Sequence, residues 1–156
     1  GEIGWILASV LTLPALVLFI GSLWKNPALP APGAEAAASE RPATGVFAVT
    51  RHPMMWGFGS WAIAHIVLWW DRRTVILASA ILFLALAGAH MQDRKKRALM
   101  GEAWAQWQAR TSYWPRWGKL PGAGLVLWAF AIVLWLVLTY GHIQAAGIPA
   151  GVWRWV

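Results

Sequence analysis

The sequence predicts an all-α, polytopic integral membrane helical bundle of about four transmembrane helices plus one amphipathic cytoplasmic helix. Three observations predict it. The 156-residue chain is 59% apolar and 12% charged, against about 45–50% and roughly a quarter in a soluble domain. Its apolar residues fall into four uncharged runs of 17–20 residues, the length that crosses most of a ~30 Å hydrocarbon core at ~1.5 Å per residue. It also holds 14 tryptophans, a residue favoured where the apolar core of a bilayer meets water. With no cysteine, thiolate metal sites, iron–sulfur clusters, disulfides and cysteine nucleophiles are excluded.

The first span is Trp5 to Trp24, with Pro14 expected to kink its middle. Lys25 to Gly45 is rich in Pro and Ala and reads as an irregular surface loop. The second span runs from Met54 to Trp70. Pro53 suits its first turn, where a missing N–H is no loss, and Thr50 is its expected cap. Asp71-Arg72-Arg73 is a tight charged turn, and Thr74 to His90 is the third span. Met91 to Thr111 continues as one helix, with Met100, Trp104, Trp107 and Thr111 on one face and a cationic run at its start. Ser112 to Gly122, with Pro115 and Pro121, breaks it before the last span, Ala123 to Gly141.

Charge sets the orientation. One set of connectors carries Lys25, Arg41, Arg51, Arg94, Lys95, Lys96, Arg97, Arg110, Arg116 and Lys119; the other carries Arg72, Arg73 and Arg154. The positive-inside rule therefore makes residues 25–53 and 91–122 cytoplasmic, in a membrane such as the bacterial inner membrane. The basic cluster is read as contacting lipid headgroups. No soluble domain carries it, so nucleic acid is not an expected partner. A larger membrane protein complex is.

Chemistry rests on four histidines, because an imidazole inside a span is costly and is a functional candidate by default. His52 and His90 fall at the inner ends of spans two and three; His65 and His142 fall toward the outer side. His65 shares a helical stripe with Met54, Phe58 and Trp61, beside the small residues Gly57, Gly59, Ser60 and Ala64. That pattern suits a flat macrocycle with an axial ligand, or a neutral histidine hydrogen-bonded to another helix. Arg51 and His52 stand at a helix N-terminus, an anion-binding position. Together with His90, Asp93 and Glu102 they form a cytoplasmic polar site or the ion-paired rim of a bundle; His90, Asp93 and Arg94 share a face and can bond one another.

The stretch Ala43-Thr44-Gly45, then Thr50-Arg51-His52-Pro53-Met54-Met55-Trp56-Gly57, Trp61 and Ala64-His65 resembles the NnrU family of membrane proteins. So do Gln92-Asp93-Arg94-Lys95, Gly101-Glu102-Ala103-Trp104 and Arg110-Thr111-Ser112. The resemblance covers nearly the whole chain as one domain, residues 1–156. Family members carry further N-terminal helices with a histidine of their own, so the chain is expected to lack these helices. The 15-cis-ζ-carotene isomerases, relatives of that family, imply haem b with the histidine matching His65 as axial ligand. Their second ligand comes from the absent N-terminal part, and His142 is the substitute candidate here. The resemblance implies redox-dependent isomerisation of a hydrophobic, carotenoid-like substrate, or a role in nitrogen-oxide metabolism. A more distant likeness to isoprenylcysteine carboxyl methyltransferases implies S-adenosylmethionine held by Arg51, His52, Asp93 and Glu102. A third expectation is a non-catalytic accessory subunit.

Overall fold

The computed structural model describes residues 1–156 and is helical throughout. Helix α1 is Glu2–Ser22, α2 Ala34–Glu40, α3 Val46–Val49, α4 Pro53–Leu68, α5 Arg72–Met100, α6 Glu102–Arg110 and α7 Leu125–Ala146. Short 3₁₀ turns cover Trp117–Ala123 and Gly151–Arg154. Three helices, α1, α5 and α7, are long and apolar enough to cross a membrane. Helix α4 has 16 residues, about 24 Å of helix, and lies between α1 and α5 as the fourth element of the bundle.

The packing order follows side-chain size. Helix α4 buries Gly57, Gly59, Ser60, Ala62 and Ala64, small residues that let helix backbones approach closely. A Cβ on Gly57 would lie 2.9 Å from the Ala15 carbonyl oxygen, so α1 and α4 meet almost backbone to backbone. Helix α7 also rests on α1, through Trp135, whose indole N–H donates to Thr12 Oγ1 at 3.0 Å. Helices α4 and α7 both pack on α1 but not substantially on each other. The outward faces hold large apolar side chains such as Ile3, Leu84, Leu125 and Val126, as lipid contact requires. Pro14 lies inside α1 without interrupting it.

The densest core sits at the basic end of the bundle rather than among the spans. There Phe47, Trp104, Trp107, Val17, Leu18 and Val49 are fully buried in one cluster. Helix α5 is 29 residues long, about 43 Å, so its last turns pass beyond a ~30 Å apolar layer and carry Asp93 and Lys96 into this cap.

Four expectations change. The helix after the third span is not a single one: Gly101, at φ 52 and ψ −118, ends α5 and starts α6, a backbone conformation glycine adopts without Cβ strain. The break turns Trp104 and Trp107 back into the core. The 25–45 loop contains α2, whose Ala-rich sequence favours helix and which packs on α6. Thr50 does not cap α4; the N-cap is His52, with no side-chain cap bond. The Thr50 hydroxyl instead lies 2.8 Å from the Tyr113 carbonyl oxygen and 3.1 Å from that of Ser112, tying the connector before α4 to the one after α6. Finally, α7 extends to Ala146, so His142 is in its last turns rather than beyond them.

Candidate functional site

Two polar constellations stand at opposite ends of the bundle. The first follows directly from the packing. Because α4 and α7 sit on α1 without touching closely, a cavity of about 960 Å³ opens between them, within the ~300–1,000 Å³ of small-molecule and cofactor sites. Helix α1 contributes Trp5, Ser9, Thr12 and Phe19; α4 contributes Phe58, Trp61, Ala64 and His65; α7 contributes Trp135, Thr139 and His142. The start of α5 adds Arg73 and Thr74, and the tail beyond α7 adds Ile148, Ala150 and Gly151.

His65 and His142 thus reach one cavity from different helices. Each is positioned in the same way. The Nδ1 of His65 is 2.8 Å from the Trp61 carbonyl oxygen, and that of His142 is 2.9 Å from the Leu138 carbonyl oxygen. A carbonyl only accepts, so both Nδ1 atoms donate, and the neutral imidazole then keeps its lone pair on Nε2. The His65 ring also stacks on Trp61, with centroids 4.0 Å apart and planes 35° apart, which fixes its swing. This is the arrangement a metal-ligating histidine takes, its second nitrogen anchored so that the first is aimed. The bland alternative of a histidine bonded to a neighbouring helix is not what the structure shows, since each ring bonds within its own helix.

Among the residues expected to line this site, Phe58, Trp61, His65 and His142 do so; Met54 does not. It shares their stripe, but eleven residues of helix put it about 16 Å along the axis, outside the cavity. Arg51 and His52 are not in the cavity either. They belong to the second constellation. Ser9, Thr12 and Thr139 also line the cavity, hydroxyls that uncharged spans alone give no reason to single out. Thr139 lies one turn before His142, a helical spacing that was available as a signal.

The second constellation centres on Asp93. The Arg51 guanidinium donates to both its oxygens, with Nε at 2.9 and 3.0 Å and Nη2 at 2.6 Å. His52 Nε2 is 3.0 Å from Oδ1, and the Trp104 indole donates to the same oxygen at 3.3 Å. Gln92 meets His52 Nδ1 at 3.3 Å and donates its amide to the Ala28 carbonyl. Asp93 therefore bonds across to the α4 entry, not along its own helix to His90 or Arg94. Partial burial by itself would raise the Asp93 carboxyl; the hydrogen bonds from His52 and Arg51, with the electrostatic attraction behind them, outweigh it and hold the group well below the usual carboxylate range. The hydroxyl of Tyr113 is pushed up by burial and by the Asp93 charge, and it donates to the Leu86 carbonyl at 3.0 Å. The anion at this helix entry is thus the protein's own. Glu102 lies away from the cluster, lining a surface hollow with Glu35 and Glu40, and His90 is exposed at its edge.

Fold and sites together define a polytopic membrane chain with a histidine-bearing apolar cavity at one end and an ion-paired, tryptophan-rich cap at the other. The sequence profile of the NnrU protein family matches residues 2–150. The chain belongs to the NnrU family. It is also similar to a protein of Zea mays named 15-cis-zeta-carotene isomerase, chloroplastic, with 34% identity over 88 residues. That match takes in 52% of this chain and 24% of the maize protein, so the chain spans well under half of that relative. No solved structure matches.

Proposed function

We propose that this chain binds haem b between His65 and His142, and with it takes part in redox-dependent cis–trans isomerisation of a hydrophobic, carotenoid-like substrate. One observation carries the reading: two imidazoles on separate helices line one apolar cavity, each with Nδ1 committed to a backbone carbonyl and Nε2 left for a ligand. The name of the maize relative supplies the reaction class. The residues present fit the group, because its iron takes neutral imidazole nitrogens and its ring takes aromatic and small apolar walls.

When bound, haem supplies redox chemistry at iron. The chain's part is to hold and shield. His65 and His142 would hold the group through their Nε2 atoms. Trp61 orients the His65 ring. Phe58, Trp5 and Trp135 keep water from the cavity, and the small Ala64 leaves room for a flat ring against α4. In the orientation set by the basic residues, residues 25–53 and 91–122 face the cytoplasm and the cavity lies toward the opposite leaflet.

The test is the absorption spectrum of purified protein reconstituted with haem, oxidised and then reduced. A Soret band that shifts on reduction, and that is lost or altered by His65→Ala and by His142→Ala but not by His52→Ala, is the expected result. Absence of a haem spectrum, or a spectrum that both cavity variants leave as in wild type, overturns the reading.

A further inference from the structure

The cavity between α1, α4 and α7 has one charged residue in its wall. Apart from the two histidines and the tryptophan indoles, every lining residue is apolar or carries only a hydroxyl, except Arg73. Three cations gather at this end of the bundle: Arg72, Arg73 and Arg154. Arg154 is already neutralised, since its guanidinium meets Glu2 at 2.8 Å and covers the Trp5 ring at 4.8 Å. Arg72 does not line the cavity. The nearby carboxylate of Asp71 accepts from the Thr74 amide at 3.0 Å and makes no ion pair with Arg73. The Arg73 side chain makes no hydrogen bond or ion pair within the chain, and Thr74 beside it adds a hydroxyl to the same wall.

An uncompensated guanidinium at the exposed end of an apolar pocket selects for a ligand with an anionic edge. Arginine's planar fork matches carboxylate geometry in particular. We propose that Arg73 is the carboxylate-recognition residue of this cavity, and that the occupant is therefore an amphipathic acid, its apolar ring between His65 and His142 and an acidic edge at Arg73. The inference rests on the haem reading and adds to it which end of the ring faces which end of the cavity. It also separates Arg73 from its neighbour Arg72, which charge patterning alone treats as equivalent.

The experiment compares two porphyrins on the full chain in detergent. Iron protoporphyrin IX carries two propionates; its dimethyl ester carries none. Titration is followed by the Soret band. The acid-to-ester affinity ratio should be about five-fold higher in wild type than without the Arg73 charge, the value of an exposed ion pair of ~1 kcal/mol. Arg73→Gln should lower that ratio accordingly, while Arg72→Gln leaves it as in wild type. Comparing ratios between proteins cancels the ester's greater partition into detergent. Because Arg73 is exposed at the first turn of α5, the substitution does not disturb packing, and an unchanged helical circular dichroism spectrum checks this. An acid-to-ester affinity ratio that Arg73→Gln leaves as in wild type overturns this inference while leaving haem binding intact. If wild type binds neither porphyrin, the haem reading falls and the inference with it.

Discussion

Replacing Asp93 with Asn is the sharpest test of how the basic end is held. The substitution keeps shape and removes charge. In the native chain the carboxylate accepts from Arg51, His52 and Trp104, and the Arg51 and Asp93 side chains are 12% and 11% exposed. Removing one partner of such a pair strands the other, at a cost of about 3–5 kcal/mol when fully buried. The residual exposure places this pair at about 3 kcal/mol, the lower end of that range. For a chain of this size, that corresponds to a fall in Tm of about 6–12 °C. The native tryptophans report unfolding by fluorescence in detergent or nanodiscs. The pH dependence gives a second, independent readout. The carboxyl is lower in the folded state than its unfolded value near ~3.9, so its contribution is complete above that pH. It is lost as pH falls through the folded value. Wild type should therefore show an acid limb of declining Tm that Asp93→Asn flattens. A Tm within about 1 °C of wild type, well under 1 kcal/mol on the same scale, refutes the ion-pair argument. So does an acid limb of undiminished steepness.

Other outcomes follow from particular contacts. Gly57→Val should destabilise the bundle by about 1–3 kcal/mol, since even its Cβ meets the Ala15 carbonyl at 2.9 Å; thermal unfolding checks it, and a neutral result would show that α1 and α4 can separate freely. Thr50→Val should cost about 1–3 kcal/mol through the carbonyls of Tyr113 and Ser112, measured as faster proteolysis of the 111–116 connector. Trp107→Ala, emptying the centre of the cap, should cost about 3–5 kcal/mol; a Tm unchanged by this truncation would contradict the placement of the core.

Several parts of the structure were legible locally. Apolar runs of the right length can only be satisfied as helices in lipid, because lipid supplies no partners for backbone polar groups. That constraint acts segment by segment, so spans one, three and four could be read without knowing their neighbours. Pro53 at the first turn of α4 is likewise local, whereas Arg72 and Arg73, expected in a turn, open α5 behind the Asp71 cap. The stripe holding Phe58, Trp61 and His65 followed from helical periodicity. The inner and outer pairing of histidines followed from counting turns.

What remained hidden depends on which helices touch. Met54 obeys the same periodicity as His65 yet lies outside the cavity, because the cavity's depth is set by α1 and α7. The break at Gly101 looked like one more position in an amphipathic helix; only the return of Trp104 and Trp107 onto the Phe47 cluster requires a positive φ there. Asp93 bonds Arg51 rather than its helical neighbours, because the close approach of α4 and α5 brings the better partner within reach. Hydropathy and charge act on each segment alone, so the apolar helices and the basic end can be read residue by residue. That His65 and His142 share one space follows from packing: both supporting helices seat on α1, and the gap between them belongs to that arrangement, not to either helix.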